Sequence, residues 1–125
     1  MNFKGKTVLI CDDSILARRK FKDFLKSLEI ADVYEAADGE EAVAKYKESK
    51  PDVVFMDIVM PKKDGVQAVQ EIVAFDSEAK VIMASSVGTQ NYLNNAIKAG
   101  ACDFLQKPLD EDAVVQSLIK ALGGN

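Results

Sequence analysis

Val53-Val54-Phe55-Met56-Asp57-Ile58-Val59-Met60-Pro61, closed by Asp64-Gly65, lies at the middle of the chain and decides how the rest is read. Its first four residues are apolar and two are β-branched, the pattern of a short strand buried on both faces. A carboxylate, Asp57, stands where that strand ends, and a proline and an Asp-Gly turn follow. An aspartate so placed is held by a rigid sheet yet faces a loop. In an open parallel sheet this carboxyl edge is where ligands and chemistry collect.

Upstream, Thr7-Val8-Leu9-Ile10-Cys11 reads as a first apolar strand, followed directly by Asp12-Asp13-Ser14. A helix capped by Asp13 or Ser14 comes next, with Ala17, Phe21, Phe24, Leu25 and Leu28 on one face. Arg18, Arg19, Lys20 and Lys22 are expected on its solvated side. Asp32 to Ala36 alternates as a strand nearer the sheet edge would. Asp38 with Glu41 forms a capping-box pattern for a second helix that buries Ala42, Val43 and Tyr46. Lys50-Pro51 ends that helix, because the residue before proline avoids helical geometry.

Downstream of Gly65, a third helix turns Val66, Val69, Ile72 and Val73 inward. Lys80 to Ala84 forms a fourth strand, ending in Ser85-Ser86. A fourth helix is expected from about Thr89, with Leu93, Ala96 and Ile97 apolar, and stops at Gly100. Asp103 to Gln106 is a short fifth strand, followed by Lys107-Pro108. Asp110 caps a last helix whose Val115, Leu118, Ile119 and Leu122 share a face. Strands alternating with helices through short loops predict an α/β domain of (βα)5 type: a doubly wound, five-stranded parallel sheet of flavodoxin-like architecture with right-handed crossovers. One domain is expected to fill residues 1–125, its core running from about 6 to 122, with no output domain.

The 125 residues are 48% hydrophobic and 29% charged, ordinary for a globular domain with one core. A net charge of −4 and a pI near 4.8 argue against nucleic acid and anionic membranes as partners. No apolar run approaches a membrane span, and residues 1–6 are too short and polar for a signal peptide, so a cytoplasmic location is expected. Cys11 and Cys102 form no metal-spaced set and read as reduced, mostly buried thiols. The histidine count is 0, which excludes Ser-His and Cys-His catalysis, histidine–metal sites and a phosphohistidine on this chain.

A parallel sheet sets its strand ends along one edge, and there the sequence puts Asp12-Asp13, Asp57, Ser85 and Lys107. Carboxylates about 5 Å apart repel by roughly 3 kcal/mol per pair at an effective dielectric near 20. Such a cluster needs cations. Lys107 supplies one, pairing with one carboxylate. A hard divalent ion, Mg²⁺, suits the rest, since it takes a few carboxylate or carbonyl oxygens and keeps several waters. Acid, hydroxyl, lysine and metal together suit a phosphoryl group, with Asp57 attacking phosphorus to give an aspartyl phosphate.

On these residues the chain resembles the receiver domain of two-component response regulators, over nearly its whole length. The resemblance rests on Asp12-Asp13 after strand one, Asp57 in Met56-Asp57-Ile58-Val59-Met60-Pro61 with Gly65, Ser85 at the end of strand four, and Lys107-Pro108. It implies that Asp57 is the phosphoacceptor, and that Asp13 and Asp57 bind Mg²⁺ directly. Asp12 then acts largely through water, and the backbone carbonyl of Val59 completes the protein ligands. Lys107 contacts the phosphoryl group, with a cis Lys107-Pro108 bond. Ser85 is the switch hydroxyl, and Phe104 occupies the place of the switch aromatic. The plainer alternatives are a strand-end hydroxyl for Ser85 and a fixed core aromatic for Phe104.

The resemblance further implies a monomer phosphorylated by a sensor histidine kinase or histidine phosphotransfer protein docking at helix one. A downstream protein target would bind the face of helix four, strand five and helix five. A chemotaxis receiver is the favoured role and a phosphorelay intermediate the alternative. In that family the positions two residues after the phosphoacceptor and the switch hydroxyl flank the path of water, so Val59 and Val87 there imply a long-lived phosphoryl group by excluding water. A flavodoxin-type carrier is disfavoured, because Asp12-Asp13 would repel a flavin phosphate. A small Mg²⁺-dependent phosphatase with an aspartyl nucleophile lacks its D-x-D motif after strand one.

Overall fold

Residues 3–86 and 93–123 are described by the computed structural model. Five strands, β1 (Thr7–Cys11), β2 (Asp32–Ala36), β3 (Val53–Asp57), β4 (Val81–Ser85) and β5 (Asp103–Gln106), form one sheet in the order β2-β1-β3-β4-β5. Every pairing is parallel. Between and after them lie α1 (Ile15–Ser27), α2 (Gly39–Ser49), α3 (Gly65–Phe75), α4 (Leu93–Ala99) and α5 (Glu111–Ala121).

Alternation along the central strands sorts side chains into two cores. Val53 and Phe55 of β3, with Val8, Ile10 and Ile82, pack against Leu25 of α1 and Val114 and Leu118 of α5. Val54 and Met56, with Leu9, Val81 and Met83, pack against residues of α2, α3 and α4, among them Tyr46, Ile72 and Ala96. β3 is buried at all five positions because helices cover both faces, and its unbroken apolar run follows from that. β2 is an edge strand and less buried than the central β3, as its alternation predicts. The chain winds outward in opposite senses from β1 and β3, so the strand order reverses between them. The crevice at that switch point opens at Asp12 and Asp57.

Local chemistry accounts for the helix ends. Ser14 caps α1, its side chain accepting from the Ala17 N–H. Asp38 caps α2, but Glu41 reaches past the cap to the Ala37 N–H at 2.6 Å, so the expected box is displaced by one residue. The reciprocal capping box belongs instead to α3, where Asp64 and Gln67 bond each other's backbone. Asp64-Gly65 is therefore a helix start as well as a turn. Lys50 ends α2 in the left-handed region, φ 45°, ahead of Pro51.

One apolar residue lies outside the core, and one expectation changes. Ile97 is 55% exposed, because Ala96 takes the sheet-facing position of α4 and its neighbour is rotated about 100° away. Cys102 is exposed, lying in the turn before β5, whereas Cys11 is buried in β1. Burial raises the Cys11 thiol above the ordinary range, and partial desolvation of the sulfur with the Asp103 charge beside it raises that of Cys102. Val87, the expected helix start at Thr89 and the side chain of Leu93 lie outside the described residues. Among the described residues no helix is long and apolar enough to cross a membrane.

Candidate functional site

The carboxyl edge gathers side chains from three strand ends around one cation. Asp57 is the last residue of β3, and Asp12 and Lys107 directly follow β1 and β5. Lys107 Nζ donates to Asp12 Oδ2 at 2.7 Å and to Asp57 Oδ2 at 3.1 Å. It pairs with both carboxylates, not one, since β1 and β3 are adjacent and present both acids to the same point. Asp12 and Asp57 are buried, 8% and 7% exposed, while Asp13 faces solvent. One carboxylate oxygen from each of the three lies within 4.8 Å of the others.

Hydrogen bonds hold the two buried acids. Asp12 Oδ1 accepts from the Ser14 N–H at 2.9 Å, and the Asp57 carboxylate accepts from the Val59 N–H. Burial raises the Asp57 pKa above the usual carboxylate value; the charge and hydrogen bond of Lys107 and the Val59 N–H oppose it, and the Asp12 charge adds to it. For Lys107, burial lowers the pKa, but the bonds and charges of Asp12 and Asp57 outweigh it, so the ammonium stays charged.

Ser85 ends β4, one residue beyond Ala84, the pairing partner of Asp57. Its backbone carbonyl accepts from the Lys107 N–H at 2.7 Å. Its hydroxyl is fully buried and, among the described residues, is the one buried side-chain oxygen or nitrogen without a hydrogen-bond partner. Leaving such a group unpaired costs about 1–3 kcal/mol. Phe104, in β5, is half-buried against the α2–α4 core. The Lys107–Pro108 bond is cis, as expected.

Glycines let the loops close over the site. A Cβ on Gly65 would lie 2.2 Å from the Asp57 carbonyl oxygen, and one on Gly39 would lie 1.9 Å from that of Lys63. Only glycine lets α3 start against the back of Asp57, and lets the loop after β3 rest on the start of α2. Lys62 pairs with Asp38 across that contact, and Lys63 pairs with Glu71.

Arg18 departs from its expected place among solvated charges. Its side chain is only 13% exposed, with Nε on Glu35 Oε1 at 3.0 Å and Nη1 on the Asp12 carbonyl oxygen at 2.6 Å. The signal was present but faint: a cation one turn into a helix with no acidic residue in its first turn opposes the macrodipole and needs another partner.

Comparison with known proteins agrees with this geometry. Residues 8–119 match the model of the response regulator receiver domain. The chemotaxis protein CheY of Thermotoga maritima is 47% identical over 116 residues, spanning 93% of this chain and 97% of that protein. The CheX–CheY–BeF3–Mg²⁺ complex from Borrelia burgdorferi contains a chain that superposes with a TM-score of 0.84 at 39% identity, covering 94% of this chain and 89% of that one. The receiver domain of the sensor histidine kinase PA1611 from Pseudomonas aeruginosa PAO1, with a magnesium ion coordinated in its active-site cleft, superposes at 0.86 with 27% identity over 95% and 98% of the two chains. The chain belongs to the response regulator receiver domain family. Within that family it is a CheY-like response regulator.

Proposed function

We propose that Asp57 is a phosphoacceptor whose modification switches a protein-binding face, in chemotaxis signalling of the CheY kind. One observation carries the reading: a buried hydroxyl with no partner, Ser85 Oγ, stands one residue past the neighbour of a lysine-bridged aspartate. An orphaned donor at that place has a use once a phosphoryl group on Asp57 brings three strong acceptor oxygens.

The acidic cluster fits a hard cation. Its donors are all oxygen, it has three carboxylates, and one of them is open to solvent. Asp13 and Asp57 would hold Mg²⁺ directly, with Asp12 through water and the Val59 carbonyl as a further ligand. When bound, Mg²⁺ would offset the negative charge of phosphoryl oxygens as a Lewis acid.

The remaining steps belong to the protein's own groups. A carboxylate oxygen of Asp57 attacks phosphorus, and the bond to the donor breaks with its electron pair leaving on the donor. A phosphohistidine on a sensor kinase or phosphotransfer protein is the proposed donor, since this chain has no histidine. Asp12, already bonded to Lys107, keeps the ammonium beside Asp57 while Nζ exchanges its Asp57 contact for a phosphoryl oxygen. Ser85 Oγ donates to a second oxygen, drawing in the end of β4. Phe104, one strand over, would repack as that loop moves, biasing the face of α4, β5 and α5 toward a protein target. The Borrelia relative in complex with CheX supports a protein partner. A monomer acting in the cytoplasm completes the proposal.

Intact mass after incubation with acetyl phosphate and Mg²⁺ tests the first step. A single phosphoryl addition is expected in the wild type, absent with EDTA and in Asp57→Asn. Labelling that persists in Asp57→Asn would place the acceptor elsewhere.

A further inference from the structure

We infer that Arg18 and Glu35 form a positioning pair that fixes the Asp12–Asp13 peptide plane, and through it the cation-binding carboxylates. The inference rests on the proposed reading of the acidic cluster and concerns residues to which the sequence assigned no role there.

Asp12 is held at both backbone polar atoms. Its N–H donates to the Ala36 carbonyl of β2 at 3.1 Å, and its carbonyl accepts from Arg18 Nη1 at 2.6 Å. That carbonyl belongs to the planar peptide unit that also contains the Asp13 nitrogen, so fixing it orients both residues. Asp12 then presents Oδ2 to Lys107 at 2.7 Å, and exposed Asp13 is set beside it. Arg18 is itself anchored by Glu35 on β2, at 3.0 Å. A guanidinium spans these two acceptors through different edges of one rigid plane, whereas a lysine ammonium is a point charge without that fork. Lys22 shares Glu35, at 3.5 Å, but is 40% exposed, and its ammonium bonds to that β2 carboxylate and not to the Asp12 carbonyl. Lys22 therefore serves as a control with a similar ion pair and no hold on Asp12.

The placement in α1 needs this explanation. A cation one turn from a helix N-terminus gains nothing from the macrodipole. The two fixed acceptors compensate for that unfavourable position: one is the Asp12 carbonyl itself, and the other, Glu35, stands one residue before Ala36, the partner of the Asp12 N–H. Groups that orient metal ligands from the second layer commonly change metal affinity about 10–100-fold when removed.

Titration calorimetry with Mg²⁺ alone, on wild type, Arg18→Ala, Arg18→Lys and Lys22→Ala, tests the inference. Affinity about tenfold weaker is expected in both Arg18 variants, with Lys22→Ala unchanged. Hydrogen exchange without metal gives an independent readout: the peptide covering residues 11–16 should exchange faster in Arg18→Lys than in wild type. Should Arg18→Ala fail to fold, Arg18→Lys decides. Wild-type Mg²⁺ binding in both Arg18 variants, with unchanged exchange, overturns the positioning role alone. A wild type that takes up no Mg²⁺ overturns the reading of the acidic cluster and this inference with it.

Discussion

Replacing Gly65 by alanine should injure both the fold and the chemistry of Asp57. The added Cβ would sit 2.2 Å from the Asp57 carbonyl oxygen, 2.9 Å from Ile58 Cα and 3.0 Å from the Asp57 carbonyl carbon. A relaxed carbon–oxygen contact needs roughly 3.3 Å, so the strand end and the start of α3 must part by about 1 Å. All three atoms are backbone, and no side-chain rotamer relieves the clash. The Gly65 N–H also donates to the Ile58 carbonyl at 2.7 Å, which ties the same two segments together. Overpacking of this kind costs up to about 3 kcal/mol, and better helix propensity returns at most about 1 kcal/mol. The net loss is about 2 kcal/mol, or about 8 °C in melting temperature at roughly 4 °C per kcal/mol. A shift of about 1 Å in a reacting group lowers a positioned reaction on the order of 100-fold. Urea unfolding followed by circular dichroism, and initial rates of acetyl-phosphate labelling by intact mass, read the two effects. Gly5→Ala is the comparison: its φ is +79° but nothing lies within 4 Å, so it should lose about 1 kcal/mol and keep the wild-type rate. Wild-type stability and rate in Gly65→Ala would refute the steric reasoning. Lost stability with an intact rate would refute the tie between Gly65 and the Asp57 carboxylate.

Three further outcomes follow from the same structure. Ser85→Ala removes an unpartnered buried hydroxyl, so stability should hold or rise by about 1 kcal/mol while labelling of Asp57 persists and partner binding no longer responds to it. A clear loss of stability in urea would mean that the hydroxyl had a partner. Tyr46 donates its hydroxyl to Asp76 at 2.8 Å, which lowers the Asp76 pKa from the ordinary 3.8. A carboxyl depressed in the folded state stabilises fully above its unfolded value and loses that contribution as pH falls through the folded one. The advantage of wild type over Tyr46→Phe in urea unfolding should therefore be constant near neutrality and shrink below about pH 4; an advantage unchanged to pH 2 would refute the assignment. Val59 is 59% exposed two residues beyond Asp57, and Val59→Asn, which offers a water-orienting amide there, should shorten the phosphoryl lifetime several-fold when its decay is followed by mass. An unchanged lifetime would count against water exclusion by that side chain.

Sequence alone was enough to establish the sheet, its edge and the acids on it, because those features are periodic or local. An apolar run reads the same wherever it packs, so β3 was legible from Val53 to Asp57. Strand ends must share one edge in a parallel sheet, so Asp12, Asp57, Ser85 and Lys107 were grouped before any distance was known. Caps depend on a few neighbouring residues, and Ser14 and Asp110 follow that rule. The exposure of Ile97 was not legible, because apolar character does not say which side of a short helix meets the sheet.

Tertiary structure decided what depends on residues distant in sequence meeting at ångström range. It made one lysine serve two acids, a consequence of β1 and β3 being neighbours at the point where the winding reverses. It left Ser85 Oγ buried without a partner and took Arg18 from a solvated helix face to the backbone of Asp12. Hydrogen bonds and clashes change over tenths of an ångström, while sequence periodicity places a side chain only to within a face. Composition and order along the chain thus determined which chemical groups meet, and packing determined which atoms of those groups touch.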